Sequence, residues 1–268
     1  MVLLASRAAA SDLTVTPTRI VFEGRDRAAQ VHLVNRGDKP AVFRIEFVQM
    51  RMDENGGMSE IESPNERELF ADALVRHSPR QVQLGPGEGQ NIRLLLRKPE
   101  SLAPGEYRSH LLFYAIPDAA AGNDIEREAA VEKEGFSVDI RAIYRISIPV
   151  IVRHGDLPVS FSMTELSLVK SESRERAATL RLRIDRDGRR SIYGDLDVYY
   201  RPKGGGDSRL LHHMKDFVLY TSSDTRVLET ELVLPAGVVL DGGEIHAVYS
   251  EKSGQGRSVL AERRIVLP

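Results

Sequence analysis

Cysteine is absent from the sequence, which excludes a disulfide framework, a cysteine-ligated zinc site and a thiol nucleophile, while remaining compatible with a reducing or an oxidising compartment. An excess of one charge is lacking too. The 37 Lys and Arg stand against 39 Asp and Glu, a formal net charge of -2, so there is no global basic field and no nucleic-acid partner is expected. No segment approaches the roughly 18 apolar residues of a membrane helix, and the mature protein is expected to be soluble. Neither HExxH nor GxSxG occurs, and no carboxylate pair is singled out by its surroundings. The sequence therefore offers no catalytic engine and implies neither metal nor cofactor.

What the sequence does have is alternation of period two, with helical periodicity almost nowhere. Phe43, Ile45 and Phe47 alternate with Arg44 and Glu46, and Ile92, Leu94 and Leu96 with Arg93 and Arg97. Tyr107, Ser109, Leu111 and Phe113 alternate with Arg108 and His110. Each set predicts one buried and one wetted face, the mark of antiparallel sheets. The turn signals NRGDKP, DENGG, GPGEG and SLAPGE separate them, so a β-sandwich is expected. The second half repeats the pattern: Leu180, Leu182 and Ile184; Ile192, Leu196, Val198 and Tyr200; Ile245, Ala247 and Tyr249; Val259, Ala261, Ile265 and Leu267. The 268 residues are thus expected to form two all-β domains, residues 11–153 and 159–268. The short linker RHGDLP, with the boundary drawn at 154–158, implies a fixed angle and a cleft.

Three other stretches bear on the ends and loops. The opening MVLLASRAAASDL has a curtailed apolar run and then Ala8, Ala9 and Ala10 before Ser11, the pattern of the end of an export signal. Residues 117–135, PDAAAGNDIEREAAVEKEG, are rich in alanine and acid with no apolar period, which suits a mobile loop. Directly after them comes GFSVDIRAIYRISIPVIVR (residues 135–153). There Phe136, Val138, Ile140, Ala142, Tyr144, Ile146, Ile148 and Val150 would share one face of an extended strand.

The motifs that resemble chemistry have plainer readings. GPGEGQN (residues 85–91) is followed by strand alternation, not by the helix a phosphate loop requires, so it reads as a tight turn. His212 and His213 are neighbours and would point to opposite faces of a strand, so they cannot share one metal. RPKGGGD (residues 201–207) reads as a hairpin tip. Arg19, in TVTPTRIVFEG, sits on an expected first strand with Leu13, Val15 and Val21, and a lone strand arginine is most often solvated.

Taken together, TPTRIVFEG, AAQVHLVNRGDKPAVFRIEF, HSPRQVQLGPGEGQNIRLLL and LAPGEYRSHLLFYAIP resemble successive segments of the periplasmic pilus-assembly chaperones of the chaperone–usher pathway. The resemblance covers residues 13–153 well and the second half by architecture. It implies two immunoglobulin-like sandwiches set in a boomerang. It also implies a function: the last strand of the first domain lends alternate apolar side chains to an unfinished pilin subunit until an outer-membrane usher takes over, the β-strand addition mode of recognition. Phe136, Val138, Ile140, Ala142 and Tyr144 are then the expected donors, while Ile146, Ile148 and Val150 are expected to face their own core. Self-association could cap the same ridge in the free protein.

The family also anchors the pilin's terminal carboxylate with a first-strand arginine and a last-strand lysine. Arg19 matches the arginine; Pro149 stands at the lysine's place, and Arg145 and Arg153 are the nearest basic candidates. Arg108 stands about where the common pattern has glutamate. These departures are more like the archaic or divergent branches. A two-domain immunoglobulin-like module that binds a surface protein or polysaccharide without strand donation is the alternative, and a hydrolase a distant third.

Overall fold

The structure, a computed structural model, describes residues 13–116, 144–170, 177–253 and 256–268. Among the described residues there are 18 β-strands and no helix. The fold is all-β and consists of two immunoglobulin-like sandwiches. The chain divides into two compact units. The first contains Met1–Gln49, Phe70–Leu102 and Tyr107–Arg153; the second contains Met50–Leu69, Ala103–Glu106 and His154–Pro268.

In the first unit a four-stranded sheet runs β1 (Leu13–Thr16), β3 (Ala28–Asn35), β9 (Gly89–Leu96), β7 (Val75–Ser78). The second sheet runs β2 (Ile20–Phe22), β11 (Arg145–His154), β10 (Gly105–Ile116), β4 (Ala41–Val48), β8 (Gln81–Leu84). Alternation sorts the side chains. Val31, Leu33, Ile92 and Leu94 from one sheet and Phe22, Ile45, Leu111, Phe113 and Val150 from the other form one core, each at most 1% exposed. Burying each such side chain contributes about 1.5–3 kcal/mol. Asn35, 1% exposed, closes the β3 end by donating from Nδ2 to the carbonyls of Lys39 and Leu84 while accepting the Gly37 N–H. The neighbouring GPGEG stretch is a turn between β8 and β9, with Gly87 at φ +75°, a conformation that favours glycine.

The second unit pairs a sheet of β12 (Val159–Lys170), β13 (Ala177–Gly188) and β16 (Thr225–Val233) with one of β15 (Arg209–Leu219), β14 (Ile192–Arg201), β17 (Gly243–Ser253) and β18 (Gly256–Leu267). Leu180, Leu182 and Ile184 meet Leu196, Val198, Ile245, Ala247 and Tyr249 in its core. The fully buried Tyr249 donates its hydroxyl to the Phe217 carbonyl at 2.8 Å, which satisfies the one polar atom it brings inside. The tip RPKGGGD joins β14 to β15, with Gly204, Gly205 and Gly206 all at positive φ. A two-stranded hairpin, β5 (Met50–Met52) and β6 (Met58–Glu60), completes this unit.

Three expectations from alternation are corrected. The first strand is two strands: β1 pairs antiparallel with β3, and β2 pairs parallel with β11. The switch at Pro17, which has no N–H for a ladder, resets the parity, so Ile20 and Phe22 are buried and Val21 is not. At β17/β18 the register shifts between Tyr249 and Ser250. That bulge takes Val259 off the inward set, and it is 56% exposed while Leu260 packs against the core. On β10 the face expected to be wet is not: Arg108 is 7% and His110 3% exposed.

Candidate functional site

Strand β11 carries the downstream half of the apolar ridge. Its even positions point into the first unit's core: Ile148 and Val150 are buried, and Ile146 is partly buried against them. Tyr144, one step before the strand, is 50% exposed. The ridge thus passes from wet to buried within a few residues. Phe136, Val138, Ile140 and Ala142 lie outside the described residues.

The flank of β11 changes over the same interval. β2 is only three residues long and pairs with Val150, Ile151 and Val152. Upstream, β11 continues past the end of β2 to Arg145. Pro149 sits at this boundary, where β2 ends and a residue that cannot donate to a ladder is tolerated. Edges of this kind invite a further strand.

The three candidate anchors share one face of this sheet. Because Ile20 and Phe22 on β2 and Ile148, Val150 and Val152 on β11 point into the core, Arg19, Arg145 and Arg153 fall on the opposite face. Their backbone positions are spread along the strand. Arg145 and Arg153 are separated by roughly 26 Å of strand at about 3.3 Å per residue, and Arg19 flanks Pro149, midway between, one step before the Ile20–Val150 pair.

Each arginine has its own surroundings. Arg153, its side chain 12% exposed, makes an ion pair with Glu23, and its carbonyl accepts the Lys98 ammonium at 3.0 Å. Burial pushes the Lys98 pKa down, with Arg27 adding to the effect. Arg145 is exposed and lies over the Tyr114 ring, 5.5 Å from its centroid, within cation–π range. Arg19 is half-buried at the break between β1 and β2. A guanidinium is a planar fork of donors that matches a carboxylate.

The same face of β10 holds residues that the alternation pattern assigned to solvent. His110 is pushed down to about 3 by burial and by the adjacent Arg108, so it is neutral at ordinary pH. Glu106 is 3% exposed and accepts the Ser191 N–H at 3.1 Å, a bond across 85 residues of sequence that lies within the second unit. Glu106 lies two residues before Arg108. Spacing within PGEYRSH could have suggested it, since Glu106, Arg108 and His110 share parity, but their burial depends on partners remote in sequence. His213, read only as unable to share a metal with His212, is engaged elsewhere: its Nδ1 is 2.6 Å from Asp197 Oδ1. Among the described residues no cluster of His, Asp or Glu has the geometry to hold a metal.

Comparison with known proteins bears on the whole first half of the chain. Residues 12–153, just over half of the sequence, match the model of the pili and flagellar-assembly chaperones, PapD N-terminal domain. Among curated proteins none matches. Among solved structures, the Pseudomonas aeruginosa CupB2 chaperone is 12% identical, with 95% of this chain and 100% of that one covered and a TM-score of 0.45. A chain of the CsuC–CsuE chaperone–tip adhesion subunit complex of archaic Csu pili from Acinetobacter baumannii is 13% identical, covering 95% and 97%, with a TM-score of 0.43. The class 5 fimbriae chaperone CfaA is 12% identical, covering 92% and 97%, with a TM-score of 0.42. On the family match the chain belongs to the pili and flagellar-assembly chaperones.

Proposed function

We propose that this chaperone works in the periplasm, captures pilin subunits by donor-strand complementation and delivers them to an outer-membrane usher. Residues 11–153 are the domain that carries the donor strand, 154–158 the linker and 159–268 the second domain. The observation that carries the reading is the change along β11: upstream of Val150 the strand outruns β2 while its ridge emerges from the core to an exposed Tyr144. An apolar ridge that runs beyond its neighbouring strand is an aggregation hazard unless a partner covers it. A pilin lacking a strand supplies that cover, with backbone hydrogen bonds giving affinity and alternate side chains filling successive pockets. Phe136, Val138, Ile140, Ala142 and Tyr144 are the donors, and Arg19 is the anchor for the subunit's terminal carboxylate. Arg145 and Arg153, four residues to either side of Pro149 along β11, are the further basic candidates for that anchor.

The test compares two ends of one ridge. Replacing Ile140 and Tyr144 with Asp should abolish recovery of a pilin–chaperone complex from periplasm while leaving the melting temperature near wild type. Ile148→Asp should unfold the chaperone, because it buries an unpaired charge. Equal destabilisation by all three would make the whole ridge ordinary core and sink the proposal. For the anchor, Arg19→Ala should weaken capture by about 1.5–3 kcal/mol, a difference that disappears when the subunit's terminus is amidated. A recovered partner that is stable and soluble alone would point to the immunoglobulin-like binding module.

A further inference from the structure

The segment Met50–Leu69 interrupts the first unit between β4 and β7 yet belongs to the second. Its hairpin, with Met50 opposite Glu60 and Met52 opposite Met58, is built to hold one shape. Asp53 Oδ1 accepts the N–H groups of Asn55 and Gly57, each at 2.8 Å, and the Asp53 N–H donates to the Gly57 carbonyl at 2.9 Å. Gly56 takes φ +87°, open chiefly to glycine.

That fixed tip is seated on one strand edge. β16 is the outer strand of its sheet, and its Val227 N–H donates outward to the Glu54 carbonyl at 2.7 Å. Beside it, the Arg226 guanidinium lies over the Phe217 ring at 5.1 Å and against Gly56 so closely that a Cβ there would come within 1.6 Å of Nη1. Arg67 pairs with Asp224, and Arg51 grips the nearly buried Glu68 at 2.6 Å, so the return limb is fastened next to the same strand. Further along, Glu229 and Glu231 are exposed on β16, and charge on an edge discourages pairing. The acids guard one half of the edge and the hairpin occupies the other.

We propose that the inserted hairpin is an intramolecular shield for the β16 edge, and that without it the chain associates through β16 with the same edge of a second copy. This is independent of strand donation by β11. A chain that leaves one edge open for a partner has reason to close another, since every unpaired edge is a template for addition.

The test uses the full chain with residues 50–60 replaced by a short Gly-Ser linker, and separately Gly56→Val, which keeps the segment but strains its tip at φ +87° and crowds Arg226. Light scattering should show a concentration-dependent dimer for both variants and a monomer for wild type. Hydrogen exchange at the Val227 amide, followed in dilute monomeric samples, should become about tenfold faster in both. Val227→Pro removes the outward N–H, a change an edge strand tolerates, and added to either variant should restore the monomer. A Gly56→Val chain that is monomeric at every concentration with unchanged Val227 protection overturns the proposal, as does association that Val227→Pro leaves intact.

Discussion

Strand β10 of the first unit and strand β14 of the second occupy equivalent positions, each between two hydrogen-bonded neighbours. Each buries polar side chains on the face turned away from its core. On β10 these are Arg108 and His110; on β14 they are Asp195 and Asp197, 6% and 3% exposed. The two strands handle the burial differently. Asp197 is held by His213 on the adjoining β15, whose Nδ1 is 2.6 Å away, and by the Arg257 guanidinium on β18, one strand beyond β17, at 2.5 Å, and Arg257 also donates from Nε to Ser250. His110 has Arg108 beside it and responds by losing its own charge. Burial of an ionisable group thus has two solutions, a counter-charge or a proton change, and Asp197 and His110 show one each.

The comparison breaks most visibly at Asp197. Asp197→Ala leaves Arg257 and His213 without their shared acceptor. Removing one partner of a buried pair costs about 3–5 kcal/mol, and because those two side chains are 42% and 36% exposed the loss here should be near the bottom of that range, about 3 kcal/mol. Urea unfolding that resolves the second unit would measure it. Asp197→Asn, which keeps an acceptor, should lose roughly half as much. A loss below about 1 kcal/mol for the alanine variant would place the network among surface pairs of small consequence.

His110 gives the next largest effect, and it depends on pH. Its folded pKa is depressed to about 3, against about 6.5 in the unfolded chain. The unfolded state therefore binds the extra proton below about pH 6.5, so the stability associated with the neutral imidazole is present above that pH and lost as pH falls towards 3. Between pH 8 and pH 5 the wild type should lose about 2 kcal/mol more than His110→Gln. His77 and His212 are shifted in the same direction by burial, which is why the difference between the two proteins is the quantity to measure. Parallel pH profiles would show that His110 is hydrated in the native state.

These two strands also mark where reading the sequence succeeds. Apolar alternation located the inward faces of β4, β9 and β13 because each lies over a core, and Ile45, Leu94 and Leu182 are all at most 1% exposed. It could not tell that the other face of β10 or β14 is covered too, since a charged side chain looks the same in sequence whether it meets water or a partner 85 residues away, as Glu106 meets Ser191. Parity is equally local: the switch at Pro17 and the bulge at Tyr249/Ser250 each change which residues point inward, and neither interrupts the alternation of residue types. At the candidate site the buried end of the ridge, Ile148 and Val150, was legible from period two alone. The separation of Arg19, Arg145 and Arg153 was not, because it follows from β2 running parallel to β11 in one particular register.

The smallest effect lies at the open end of the β10 face. Past Leu112, 5% exposed, the strand emerges, and half-buried Tyr114 carries the exposed Arg145 over its ring. Here the positive charge faces water on one side, so neither a counter-charge nor a proton change is needed. A cation over a ring at such a site contributes about 0.5–1 kcal/mol. Tyr114→Leu, which keeps an apolar body on the sheet and removes the ring, should therefore lower stability by no more than about 1 kcal/mol, and a double-mutant cycle with Arg145→Ala should show a coupling of that size, since the two residues share the contact. Thermal unfolding of the two single variants and the double would read the coupling. Additive losses would mean that Arg145 is held by something other than Tyr114, and the division of the β10 face into a dry end and a wet end would have to be redrawn.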